Sequence, residues 1–228
     1  MPYDIPTTGL LAGYLFSGST EDMLGVNHAT SNLISYVPDR HGTANSAVAI
    51  GLPASFAPTS WSSASWVRPP QTFITALTDF TWCSWANFDS GTKGANVLFS
   101  HGHHSGQLWY GVTTSTIGST GFFRQHWQTT NCDVNTEIPS KGSWNHLCVV
   151  GDRAGTTLTV FANGVLKGSC NDMAFSASIS ENIADRPPLI GAYNDAGHQS
   201  QQFHGLIDDV LFYSRQLTST EIAQIAAA

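Results

Sequence analysis

The side chains able to do chemistry are sparse. The 228-residue chain holds four glutamates, Glu21, Glu137, Glu181 and Glu221, and none has a partner carboxylate at alternate strand spacing. Glycoside hydrolysis needs two carboxyl groups flanking one bond. No G-x-S-x-G nucleophile elbow is present either, so no catalytic residue is assigned and the expectation is a protein that is not an enzyme. Histidine is concentrated in His101-Gly102-His103-His104, a Gly-rich turn between two expected strands, with His198 in the Asn194–Phe203 loop. Such a group could converge on zinc at about 2.0–2.3 Å or hydrogen-bond a ligand. His28 and His146 read instead as hydrogen-bonded turn or core residues. Trp109, directly after the histidine turn, is the candidate for stacking on the apolar face of a sugar ring. Trp109 and Tyr110 occupy opposite strand faces, so at most one can meet solvent. Trp127 and Trp61 or Trp66 are further candidates, whereas Trp82, Trp85 and Trp144 read as core.

Composition narrows the partners. Only 11% of residues are charged, with nine Lys plus Arg against 16 Asp plus Glu, a net charge of −7. That balance argues against a nucleic-acid or anionic-membrane surface. No apolar run approaches the ~18 residues needed to cross a bilayer, so membrane insertion is not expected. Met1-Pro2-Tyr3-Asp4 has neither the basic region nor the apolar core of a signal peptide. Hydrophobic residues at 41% exclude a disordered chain. The four cysteines, Cys83, Cys132, Cys148 and Cys170, lack C-x-x-C spacing and permit three disulfide connectivities. Four buried free thiols would be the alternative.

The elements that would position these residues are short strands broken by Gly, Asn, Ser and Pro. Strands are expected at Leu10–Phe16, Ala47–Leu52, Phe80–Phe88, Asn96–Ser100, Gln107–Thr113 and Gly121–Trp127. Five more follow at Trp144–Gly151, Thr157–Ala162, Val165–Cys170, Pro187–Ala192 and Gly205–Tyr213. Asn163-Gly164 is the strongest hairpin signal, because a type I′ turn needs positive φ at both central residues. One helix is expected, at the end, where Thr218-Ser219-Thr220-Glu221 fits a capping box, Leu217 and Ile222 a hydrophobic staple, and Ile222 and Ile225 one apolar stripe. The segment Pro53–Pro70 reads as a tethered surface loop. The fold class is therefore all-β, a single antiparallel jelly-roll β-sandwich over residues 1–228 with a short C-terminal helix.

Leu10–Phe16 followed by Glu21-Asp22 and Asn27-His28-Ala29-Thr30 resembles the opening of laminin-G-like, concanavalin A-like jelly rolls. Trp144-Asn145-His146 through the Asn163-Gly164 hairpin resembles their central hairpin. Leu189-Ile190-Gly191 and Gly205-Leu206-Ile207-Asp208-Asp209-Val210 resemble their closing block. Phe80-Thr81-Trp82-Cys83 and His146-Leu147-Cys148 are similar to the two strands that pentraxins link. That resemblance implies a Cys83–Cys148 disulfide, leaves Cys132–Cys170 as the second, and implies a secreted, extracellular protein. It also implies calcium, at two places. Asp22 and the Asn27 region would join Asp208 around a structural ion, and Asn194, Asp195 and Gln201 fall where part of the pentraxin ligand set lies. Tyr193 replaces the acidic residue expected before Asn194. Asp208 and Asp209, adjacent on a strand, should face opposite ways, so only one should serve such a site; the alternative is that both pair with Arg215 or Arg40. The function implied is a non-catalytic, calcium-supported glycan-binding module for extracellular recognition or adhesion. His103, His104, Trp109, Asn194, Asp195 and His198 would form its ligand rim, and a ring-shaped homo-oligomer is compatible with it. The alternatives are an adhesive module that binds protein through an apolar patch, and a polysaccharide lyase or glycosidase.

Overall fold

The structure is a computed structural model that describes residues 5–51, 64–70, 79–89, 94–101, 108–114, 120–127, 130–137, 140–152, 154–171, 188–192 and 202–228. From 94 to 96 and from 101 to 137 the description is of backbone and register. Fifteen strands and one helix are described. They are β1 (Leu10–Tyr14), β2 (Thr30–Asn32), β3 (Ser35–Val37), β4 (Ala47–Ile50), β5 (Trp66–Arg68), β6 (Phe80–Phe88), β7 (Gly94–His101) and β8 (Leu108–Thr114). They continue with β9 (Thr120–Trp127), β10 (Thr130–Glu137), β11 (Trp144–Asp152), β12 (Thr157–Ala162), β13 (Val165–Asn171), β14 (Leu189–Ile190), β15 (Gly205–Tyr213) and α1 (Ser219–Ala227). All pairings are antiparallel. The first sheet runs β13-β12-β11-β6-β15-β4-β3, with β1 also on β15, and the second runs β10-β9-β8-β7-β14-β5-β2. This is the expected jelly-roll sandwich. The expected surface loop Pro53–Pro70 contains a strand, β5, which pairs with β14 and β2.

Alternation explains the layers. On β6, Phe80, Trp82, Ala86 and Phe88 point into the sandwich, where Trp82 stacks on Phe99 with centroids 6.2 Å apart. The other face of the same strand carries Cys83, which belongs to a second core with Leu10, Val150, Leu211, Tyr213, Leu217, Ile222 and Ile225. Helix α1 thus caps the outer face of the first sheet. Its capping box is as expected: the Thr218 hydroxyl accepts from the Glu221 amide at 3.2 Å, and the Thr218 amide donates to Glu221 Oε2 at 2.8 Å. Asn163 and Gly164 have φ of 52° and 74°. Space at Gly164 is also tight, since an added Cβ would lie 3.2 Å from Ala223 Cα on the helix.

Cys83 and Cys148 are directly opposed in the β6–β11 register, with Cα atoms 4.1 Å apart, and form a disulfide. Cys170 is also disulfide-bonded. The side chain of Cys132, its expected partner, lies outside the described residues, although β10 contacts β13. Among the described residues no helix is long and apolar enough to cross a membrane.

Candidate functional site

The register of the second sheet sorts its strands into two faces. Phe99, buried in the sandwich core, pairs with Tyr110, Tyr110 with Gln125, and Gln125 with Cys132. Val112, Phe123 and Val134 share that core-side set two residues further along. The intervening positions form a different list. Ser100 pairs with Trp109, Trp109 with His126, and His126 with Asn131. The next row is Gly111, Arg124 and Asp133, and the third is Thr113, Phe122 and Asn135. Three rows on three strands cover about 10 by 13 Å, the footprint of a short oligosaccharide. Two aromatic positions, Trp109 and Phe122, among imidazole, guanidinium, carboxylate and amide groups are the chemistry that meets a pyranose, apolar on one face and hydroxylated at its edge.

Trp109 is the one residue of the expected ligand rim that lies in a described strand, where it holds a position on the face opposite the core. His103 and His104 fall in the connection from β7 to β8, and Asn194, Asp195, His198 and Gln201 in the connection from β14 to β15; all six lie outside the described residues. The origins of the two connections are described. β7 and β14 pair through Leu189–Ser100 and Ile190–Phe99. Gly191, at φ 80°, then turns the chain so that the Ala192 carbonyl accepts from the Ser100 hydroxyl at 2.8 Å. Gln202 fastens this corner from the other end: its amide nitrogen donates to the Ser65 and Gly191 carbonyls, and its oxygen accepts from the Ser65 amide. Ser100 belongs to the Trp109 row, so Ala192 stands beside that row. His126, Arg124, Asn131, Asp133 and Asn135 were not singled out as site residues from sequence. The period-two alternation of Asn131, Asp133 and Asn135 against Cys132 and Val134 was the available signal.

The first calcium set does not fit an ion. Asp22 Oδ1 accepts from the amides of Gly13 and Leu24 at 2.9 and 3.2 Å, and Oδ2 from those of Val26 and Asn27 at 3.3 and 2.9 Å. Four donors fill the acceptor capacity of a carboxylate. The Asn27 side chain donates to the Leu11 carbonyl, and the Asn27 backbone carbonyl accepts from the Tyr14 hydroxyl. His28 accepts from the Asp22 amide, as a turn histidine.

Asp208 and Asp209 do not face opposite ways. The β15–β6 pairing shifts register between Asp208 and Leu211, and Asp209 takes φ 45°, so this bulge sends both carboxylates to Arg40 Nη1, at 2.8 and 2.7 Å. The Arg40 pairing is the alternative named from sequence; Arg215 instead pairs with Glu221. Burial, reinforced by the Asp209 charge, pushes the Asp208 carboxyl well above the usual range, and Arg40 opposes the rise. Burial raises Asp209 likewise. The Arg40 guanidinium lies 4.7 Å from the Trp85 ring centroid, and Trp85 in turn packs on His146. Burial and the Arg40 charge hold His146 down to about 3, hence neutral. His146, Cys83 and Cys148 are the one group of three metal-ligating residues within 4.8 Å among the described residues. Their sulfurs are joined to each other, so they offer no thiolate.

A family model described as the concanavalin A-like lectin/glucanases superfamily matches residues 62–223. Among solved structures, domain 4 of the extracellular GH43 arabinanase AbnA from Geobacillus stearothermophilus, in complex with arabinotriose, is similar at 20% identity and TM-score 0.68, covering 95% of this chain and 98% of that one. A heptameric SAP-like pentraxin from Limulus polyphemus is similar at 18% identity and TM-score 0.54, covering 67% of this chain and 71% of that one. A Trypanosoma rangeli sialidase mutant displaying trans-sialidase activity is similar at 17% identity and TM-score 0.68, covering 97% of this chain but 33% of the sialidase.

Proposed function

Because the chain belongs to the concanavalin A-like lectin/glucanases superfamily, we propose that it is a non-catalytic glycan-binding module whose site is the Trp109 face of the second sheet. The observation that carries this reading is the register of β8, β9 and β10, which gathers Trp109, His126, Arg124, Asn131, Asp133 and Asn135 on the set of positions opposite the core-side one. The bound domain of the arabinanase supports it, since a related sandwich there holds an oligosaccharide. That none of the four glutamates has a partner carboxylate at alternate strand spacing favours a role without catalysis, since glycoside hydrolysis needs two such groups. The reading includes an extracellular setting, consistent with the disulfides.

Calcium enters this proposal at Asn194, Asp195 and Gln201 and not at Asp22. A calcium ion there would offer open coordination positions to sugar hydroxyls, with the three side chains supplying part of its six to eight oxygens. The test is calorimetric titration with a panel of neutral and acidic oligosaccharides that includes arabinotriose, with product analysis of the same mixtures. Binding without bond cleavage is expected. Trp109→Ala should weaken it at least tenfold, a loss of about 1.4 kcal/mol. Cleaved products, or full affinity in the Trp109 variant, would reject the assignment.

A further inference from the structure

We infer that Arg40 takes the place of a metal ion in this chain, its guanidinium being the cation around which the closing strand, the β3–β4 loop and the C-terminal helix assemble. A divalent ion bridging the opening loop and the closing strand needs free carboxylate oxygens on both sides. Here the opening-loop carboxylate, Asp22, is filled by backbone amides, and both closing-strand carboxylates are turned onto Arg40.

The surroundings are built to hold that side chain. Asp39 Oδ1 accepts from the His41 and Thr43 amides at 2.8 Å each, and the Asp39 amide donates to the Thr43 carbonyl, which fixes the turn that presents Arg40. Nη2 of Arg40 donates to the carbonyl of Ala228, just beyond α1, at 3.3 Å. The guanidinium face rests on Trp85. A planar fork of five donors, more weakly hydrated than an ammonium, suits a buried position between two carboxylates and an indole. Its side chain is 6% exposed and those of Asp208 and Asp209 are 2% and 7%, so removing the cation leaves two buried acids without compensation.

The inference does not depend on the sugar-binding reading, and thermal unfolding of the intact chain tests it. Wild type, Asp208→Asn and Asp195→Ala would each be unfolded in EDTA and then in calcium. The expected result is either no calcium shift in wild type, or a shift that persists in Asp208→Asn and vanishes in Asp195→Ala. A wild-type calcium shift that disappears in Asp208→Asn would overturn the inference. Arg40→Ala should lower Tm by roughly 10 °C in EDTA, with Arg40→Lys, which keeps the charge without the fork, falling between it and wild type. An Arg40→Ala protein that melts with wild type would overturn it equally.

Discussion

Two acids and one base buried together make the Arg40 cluster sensitive to pH from both sides. Asp209 has its folded-state value raised above the ordinary 3.8 by burial. The native state therefore keeps a proton that the unfolded chain has released, and stability falls as pH rises through that window. His146 acts in the opposite sense. Held at about 3 when folded against 6.5 as the ordinary value, it must be stripped of a proton on folding below pH 6.5, so stability rises with pH across that interval. The two slopes oppose each other where their windows overlap, and above pH 6.5 the carboxylate slope continues through Asp208, which burial and the Asp209 charge raise to about 8. Asp208→Asn, which cannot ionise, should lose the decline in Tm between pH 6.5 and about 8, read by calorimetric scans in matched buffers. Parallel profiles would show that the pair carries no such linkage. The pairing of both acids with one arginine was only partly legible. Arg40 was nameable as a partner, but strand alternation placed the acids on opposite faces, and the bulge that overrides it is a feature of the β15–β6 register, which joins residues far apart in sequence.

At the scale of elements, features closed by neighbours in sequence were the ones that could be read in advance. The Asn163-Gly164 turn and the Thr218–Glu221 capping box each need only residues within one turn of chain. Thr218→Ala should cost about 1 kcal/mol, measured as a lower urea midpoint with unchanged slope, because the cap satisfies an otherwise orphan amide. An unchanged midpoint would mean that α1 is held by its buried Ile222 and Ile225 alone. By contrast β2 and β3, three residues each, have no period to detect, and β10 hides its strand nature. Its sequence Thr130–Glu137 carries Asn131, Asp133 and Asn135, residues of low strand propensity. What makes it a strand is its eight-residue register with β9. The same polar positions that obscured the strand compose a third of the proposed binding face. That face was legible at Trp109 and not at its partners, because which residues stand beside one another depends on cross-strand register.

For the whole molecule, the Cys83–Cys148 bridge spans 65 residues and encloses β7, β8, β9 and β10 entirely. The proposed face is thus carried within one covalent loop whose ends meet at the middle of the opposite sheet. In the chain-entropy account, losing that closure costs about 4 kcal/mol. Cys83→Ala/Cys148→Ala should therefore lower the stability extrapolated from urea unfolding by that order; a loss under about 1 kcal/mol would mean that the second core alone fixes β6 to β11. The two sheets also give the molecule a front and a back. Helix α1 and its apolar stripe fill the back, on the far side of the first sheet from the Trp109 positions. A tether joined after Ala228 would therefore leave from behind. Anchored to a sensor chip or a particle by that end, the protein would hold the proposed face outward, turned away from the surface that carries it.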